Sequence, residues 1–335
     1  MKKHLPAFLT LSILIVFPFA VALVTGESIG AGAPRFWQGM LIQVFIYAIY
    51  ALSYDLLFGY TGVLSFGHAM FFGTGAYATG MLLKHAKLDL ATTLVIVIVI
   101  AVAQSLVVGF LSLRVKGVYF AMVTLAFAQL FFILSEATDF RQWTGAEDGL
   151  HGIPVPAFIS PTEERLRFYY IALAFCLIVY LVVRRIVDSP TGRVMIAVRE
   201  NEARAQTIGY NTFAYKLVAL CIAGICAALA GALHLLFNLS ATSNLLGADT
   251  TINALLMTII GGAGTLSGPM LGAGVYQLLG YWLNTQFGPR WPLILGVVFV
   301  FLVLFLPYGI VGTWRARSVR LTQGWRELWA RFKLD

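Results

Sequence analysis

The sequence is short of charge. Asp, Glu, Lys and Arg make up 11% of its 335 residues, and hydrophobic residues make up 59%, against roughly 25% charged and 45–50% apolar in a soluble domain. A chain this poor in charge cannot cover itself with a water-soluble surface. It is also poor in reactive groups. Its three cysteines, Cys176, Cys221 and Cys226, lie inside apolar runs without metal-ligand spacing and read as small packing residues. His4, His68, His85, His151 and His234 are scattered, so no metal cluster forms along the chain, and no Ser/His/Asp set is recognisable. The run Gly261-Gly262-Ala263-Gly264-Thr265 is glycine-rich but lacks the Lys-Ser/Thr pair that grips phosphate. These absences leave an intramembrane enzyme unsupported. The net charge of +8 does not point to nucleic acid either, because the charges sit in short turns and at the ends of apolar runs.

What the chain has instead is apolar runs of about twenty residues, long enough to cross roughly 30 Å of hydrocarbon as helix. Continuous apolar runs mean helices, since lipid leaves only helices and closed barrels with satisfied backbones. The pattern predicts an all-α membrane protein, a polytopic bundle of about ten transmembrane helices. The spans run near 6–24, 36–58, 63–83, 90–113, 117–136, 167–186, 213–235, 250–262, 268–285 and 291–312, the eighth being short. With the amino terminus inside, sixteen Lys and Arg fall on the cytoplasmic side and seven (Arg35, Lys84, Lys87, Arg141, Arg165, Arg167, Arg290) on the other, as the positive-inside rule requires. Both termini are then cytoplasmic, 137–166 is a periplasmic loop and 188–212 a cytoplasmic one. Lys2-Lys3 before the first run and Ala20-Val21-Ala22 within it also fit a cleaved signal. The length of the run favours a retained span.

Two glycine-rich stretches echo each other. Gly59–Tyr77 reads GYTGVLSFGHAMFFGTGAY and Gly261–Tyr276 reads GGAGTLSGPMLGAGVY. Interrupted helices in internal repeats often meet at a transport path, and small residues equally permit close helix packing; both readings stand. The path candidates are Asp55, Ser65, His68, Gly75, Tyr77, Ser267 and Gly274. Asp55, the only acid away from the end of a predicted span, could cap or pair structurally or line the path, and Gln43, Tyr47, Tyr50 and Tyr54 share its helical spacing. The Asp188–Lys216 segment mixes Val194, Met195, Ile196, Val198 and Ile208 with Arg199, Glu200, Glu202 and Arg204, which predicts a short amphipathic helix stopped by Gly209. Such a helix can insert into a partner's groove or lie against lipid. From Trp314 onward, Trp and Leu alternate with Arg near helical spacing. That suits a basic interfacial helix over 314–335 or a frayed tail.

These residues resemble a known family. Tyr54-Asp55-Leu56-Leu57 with the Gly59–Tyr77 stretch, Arg114–Gln129 (RVKGVYFAMVTLAFAQ), Thr144–Pro154 (TGAEDGLHGIP), Gly192–Gly209 and Gly261–Gly272 match, in number and order, the LivM-type permease subunit of branched-chain amino-acid ABC transporters. Two details depart from the family pattern: Ala146-Glu147 where Gly-Ser/Asn is usual, and Gly209 seven rather than six residues after Glu202. The resemblance implies a permease domain over 1–313 in the bacterial inner membrane that itself binds no cofactor. It implies four kinds of partner: lipid, a second permease, two ATP-binding subunits that hydrolyse ATP, and a periplasmic solute-binding protein. The coupling loop would then present Arg199, Glu200, Glu202, Arg204, Ile208 and Gly209 to an ATPase subunit. The implied cargo is a branched-chain or related hydrophobic amino acid, with urea or short-chain amides as the alternative. An ion-coupled transporter working alone is the reading from another class, and it would need ionisable residues in mid-span, where only Asp55, His68 and His234 qualify.

Overall fold

The computed structural model describes residues 5–314. Lys2, Lys3 and the tail expected over 314–335, Trp314 apart, lie outside the described residues. α1 (Leu5–Thr25) is followed by α2 (Gly32–Thr61), α3 (Ala69–Lys84), α4 (Leu90–Ser112) and α5 (Val118–Glu136). The loop over 137–164 holds the single turn α6 (Arg141–Thr144), three 3-10 turns and strand β1 (Leu150–His151). Next come α7 (Arg165–Val187), α8 (Pro190–Glu200), α9 (Glu202–Thr207) and α10 (Thr212–Asn238). Strand β2 (Ser240–Ala241), a 3-10 turn over Ser243–Leu246, α11 (Ala248–Gly261), α12 (Ser267–Phe287) and α13 (Trp291–Phe305) follow, and residues 309–314 are again helical.

Local chemistry sets many of the helix ends. Asp89, Ser189, Asn201 and Asn211 each accept a backbone N–H of the following first turn, starting α4, α8, α9 and α10. Pro190 stands at the first position of α8, where its missing N–H costs nothing. α2 and α10 both stop at a left-handed residue, Gly62 (φ 71°) and Leu239 (φ 56°). Six helical stretches among the described residues are long and apolar enough to cross a membrane: α2, α4, α5, α7, α10 and the run Ser267–Trp314 that contains α12 and α13. The chain is an all-α, multi-pass membrane protein.

The bundle has two distinguishable ends. One carries α8 and α9; Gly62, at the end of α2, packs against Arg199 of α8 there. The other carries the β1–β2 clasp, in which Leu150 faces Ala241 and His151 faces Ser240. Lys84 at the end of α3 donates to the His151 carbonyl there (2.6 Å). Traced between these ends, α2–α5 and α10–α13 repeat one another in opposite sense. Their lengths run 30, 16, 23 and 19 residues in the first set, then 27, 14, 21 and 15 in the second. Packing follows the same rule: α2 packs on α12 as α10 packs on α4, and α3 packs on α10 as α11 packs on α2. Each set therefore holds one full-length helix, an irregular interruption (62–68 or 239–247) and a half-length helix. That is the plan of an inverted repeat with discontinuous helices.

The core is centred on α2, where Ile42, Ile46, Ile49, Tyr50, Tyr54 and Leu57 are fully buried. In lipid, helices hold together by close packing rather than by expulsion of water. The α3–α10 contact shows this: a side chain on Gly75 would run into the Ala228 backbone, and one on Gly231 into the Phe72 carbonyl.

Candidate functional site

The segment after α7 folds as two helices rather than the single one expected. Asn201 is extended (φ −159°, ψ 98°) and ends α8, and its side-chain oxygen accepts from Arg204 N (2.9 Å) to begin α9. Gly209 (φ 99°) makes the expected stop. Val194, Met195 and Val198 are buried and hold α8 to the bundle, while Glu200, Arg204, Ile208, Gly209 and Tyr210 are exposed. Ile208 is 69% exposed at the α8–α9 end of the bundle.

Two other charges of this loop, the exposed Arg199 and the half-buried Glu202, make contacts with neighbouring elements. Arg199 donates through Nη1 to the carbonyl of Gly59 in the last turn of α2. Glu202 pairs with Lys216 (2.7 Å) and Lys116 (3.5 Å) and accepts from the Thr212 hydroxyl (3.1 Å). Partial burial pushes the Glu202 carboxyl up, but Lys216, Thr212 and Lys116 outweigh it and hold the group below the usual glutamate range. Sequence alone gives these residues as charges on an amphipathic face. Their partners, Gly59, Lys116 and Lys216, are set by tertiary contact.

The two glycine stretches do meet, and Asp55 joins them. Its carboxylate accepts from Gly264 N (2.6 Å) and Leu266 N (3.4 Å) in the turn between α11 and α12. Gly59 and Gly264 lie so close that a Cβ on Gly59 would stand 2.5 Å from Gly264 N. Asp55 is fully buried, and a buried carboxylate on backbone donors is anchored. Asp55, Gly59, Gly264 and Arg199 thus form one latch between α8, the end of α2 and the α11–α12 turn. The echo in the sequence marks this contact. The structural repeat instead pairs α2–α3 with α10–α11.

The other path candidates are spread along the bundle. His68 is fully buried just before α3, its Nε2 2.8 Å from Ser53 Oγ and its ring packed against Tyr50, Tyr54 and Phe71. Ser65 is buried beside it; its carbonyl accepts from Tyr54 OH (3.1 Å) and its hydroxyl from Gly67 N (3.3 Å). Ala69 N, the first donor of α3, is capped by Thr251 Oγ1 of α11 (2.9 Å). Gly75 sits in the α3–α10 contact and Tyr77 is buried further along α3. Ser267 opens α12 next to the latch. Gly274 is half-buried, and a Cβ placed there would meet only Val44, at 3.6 Å. Thr251 and the half-buried Asn253, which accepts from Tyr276 OH (2.7 Å), escape a reading by spacing because nothing in the sequence alone says that α11 begins against α3.

The family described as "Branched-chain amino acid transport system / permease component" matches residues 37–306. The chain belongs to this family. Its curated relatives include the high-affinity branched-chain amino acid transport system permease protein LivM of Escherichia coli (strain K12). That protein is 26% identical over 290 residues, 79% of this chain and 68% of the relative. Another is the probable branched-chain amino acid transport permease protein LivM of Methanocaldococcus jannaschii, 25% identical over 319 residues, 81% of this chain and 92% of the relative. No solved structure matches. In this branched-chain permease family member the latch, the interrupted helices and the exposed α8–α9 surface all fall within the matched region.

Proposed function

We propose that this chain is the membrane-spanning permease subunit of an ATP-driven importer for branched-chain or related hydrophobic amino acids. It forms the translocation path with a second permease and works with two ATP-binding subunits and a periplasmic binding protein in the bacterial inner membrane. The observation that carries the reading is the latch. An exposed helical loop with an apolar residue at its tip is tied through Arg199 to the turn where both glycine stretches meet. Displacement of α8–α9 by a partner would move the end of α2 and the α11–α12 turn together. The chain has no phosphate loop of its own, so the drive has to arrive through such a surface.

Ten crossings follow if the interruptions are counted with their half-helices: α1, α2, 62–68 with α3, α4, α5, α7, α10, 239–247 with α11, α12 and α13. The α8–α9 end, with most Lys and Arg, is then cytoplasmic. Cysteines placed singly at Thr162 and Asn201 would react from opposite sides with an impermeant thiol reagent. Reaction of both from one side would sink the arrangement.

Liposomes holding the chain with its partner subunits, binding protein and ATP are expected to accumulate leucine, with urea and acetamide as competitors that test the cargo. The chain alone is expected to move nothing uphill. Accumulation by the chain alone on a proton or sodium gradient would replace the proposal with a secondary transporter. Ile208→Asp puts a charge at the exposed apolar tip and should weaken ATPase capture by about 2 kcal/mol or more, roughly thirty-fold, with insertion unchanged. Full capture by this variant would mean that the tip is not the docking surface.

A further inference from the structure

Resting on the permease reading, we propose that Asp249, at the start of half-helix α11, lines the aqueous path at mid-membrane and receives the ammonium group of the transported amino acid. Depth comes first. Gly73 of α3 lies against Leu245 and Leu246, and it precedes Lys84, at the clasp end, by eleven residues, about 16 Å of helix. Asp249 precedes Gly261, at the latch, by twelve residues, about 18 Å. The carboxylate therefore sits near the middle of the bundle, carried there by the inward run of 239–247.

Exposure comes second. Asp249 is exposed on the surface of this chain, and it forms no ion pair among the described residues. A carboxylate facing acyl chains at this depth costs about 2.5–3.5 kcal/mol, so such groups face water or a partner charge. The neighbouring surface agrees. α5 and the turn before α11 pack against it, and they expose Gln129 and Asn244, while Asn253 is half-buried one turn along α11. At comparable depth the exposed faces of other helices are apolar, as with Val99 and Leu106 on α4, Ile178 on α7 and Val300 on α13. Ile252 of α11 and Leu125 and Leu130 of α5 are exposed as well, so amides and apolar side chains share the exposed surface of these elements, with Asp249 its one exposed charge.

The ligand class follows from the chemistry. Among the described residues α5, α11 and the turn before α11 carry no Lys or Arg, so this surface offers one fixed negative charge among amide and apolar side chains. That suits an ammonium group passing among apolar walls, which an amino acid supplies and its deaminated acid does not.

The experiment uses the complete transporter in cells lacking other leucine uptake, with Cys176, Cys221 and Cys226 replaced by Ser. Asp249→Cys is expected to react with an impermeant methanethiosulfonate at least ten-fold faster than Val99→Cys on the lipid face, and added leucine should slow it. Asp249→Asn should cut leucine uptake ten-fold or more at an unchanged amount of assembled complex, and Asp249→Glu should recover most of it. Equal thiol reaction rates in Asp249→Cys and Val99→Cys would overturn the proposal, showing lipid or a partner subunit over the site. So would normal leucine uptake by Asp249→Asn. Failure of the unmutated transporter to import leucine would count against the proposed cargo instead, and the thiol reaction would still decide whether Asp249 faces the path.

Discussion

Two half-helices start inside this bundle, and their starts are built in different ways. Before α3, segment 62–68 is packed into the protein: His68 is enclosed by aromatic rings, Ser65 is hydrogen-bonded, and Ala69 N is capped by Thr251. Before α11, the corresponding segment leaves Asn244 exposed, and Asp249 in the first turn of α11 is exposed too. The backbone plan is shared and the side-chain environment is not. An inverted repeat supplies two interruptions of the same shape. In this chain the first joint is enclosed by aromatic rings, and the second seats Leu245 and Leu246 on α3 while presenting Asn244 at the surface.

The largest effect is expected in the α3–α10 packing that holds the closed joint in place. Gly75→Leu forces a side chain into the Ala228 backbone and is expected to reduce folded protein in the membrane several-fold, with transport falling in proportion. Gly274→Leu, with only Val44 nearby, should leave protein amount within about two-fold of wild type, so that any transport loss reports on the path. Quantitative immunoblots beside uptake separate the two, and equal protein loss in both would erase the distinction. A middle-sized effect is expected from Thr251→Val, which keeps the shape but strips the buried Ala69 N–H of its acceptor. That should cost about 1–3 kcal/mol, read as a lower unfolding midpoint in detergent. Asn244→Ala on the open side should stay within about 0.5 kcal/mol. Comparable losses from both would argue that the open joint is equally structural.

The smallest effect concerns the loop, where the same contrast recurs between the seated α8 and the exposed tip of α9. Glu202 is held below its ordinary value, about 4.5. Its pairing therefore contributes fully above that value and is lost as pH falls through the lowered one. ATPase capture should be flat between about pH 6 and 8 with respect to this group. Glu202→Gln should weaken it by no more than about 1 kcal/mol, since the pair is partly exposed and salt-screened. A large loss at neutral pH would mean that Glu202 touches the partner directly.

Much of this architecture is legible from residues alone, because apolar runs, glycines and caps act locally. The long helices, the break at Gly62 and the stop at Gly209 all follow from such signals. The break at Asn201 is also written there, since Asn followed by Glu-Ala-Arg is an N-cap pattern, though an amphipathic reading runs across it. Asp249 is the opposite case. It falls one residue before the apolar run 250–262 and reads as a loop acid. Only the inward course of 239–247, fixed by contacts of Leu245 and Leu246 with Gly73, carries it to mid-depth. Arg199 likewise reads as a rim charge until the end of α2 is brought beneath it.

Asp55 also has a history in time. The residue whose N–H it accepts, Gly264, lies 209 residues further along the chain. At roughly 5–20 residues per second of synthesis, that partner emerges about ten to forty seconds later. Throughout that interval the carboxylate is made, inserted and unmatched, so the nascent chain must shelter it by water, by the insertion machinery or by delayed seating of α2. Biogenesis, rather than the finished fold, is where this acid is most exposed to failure.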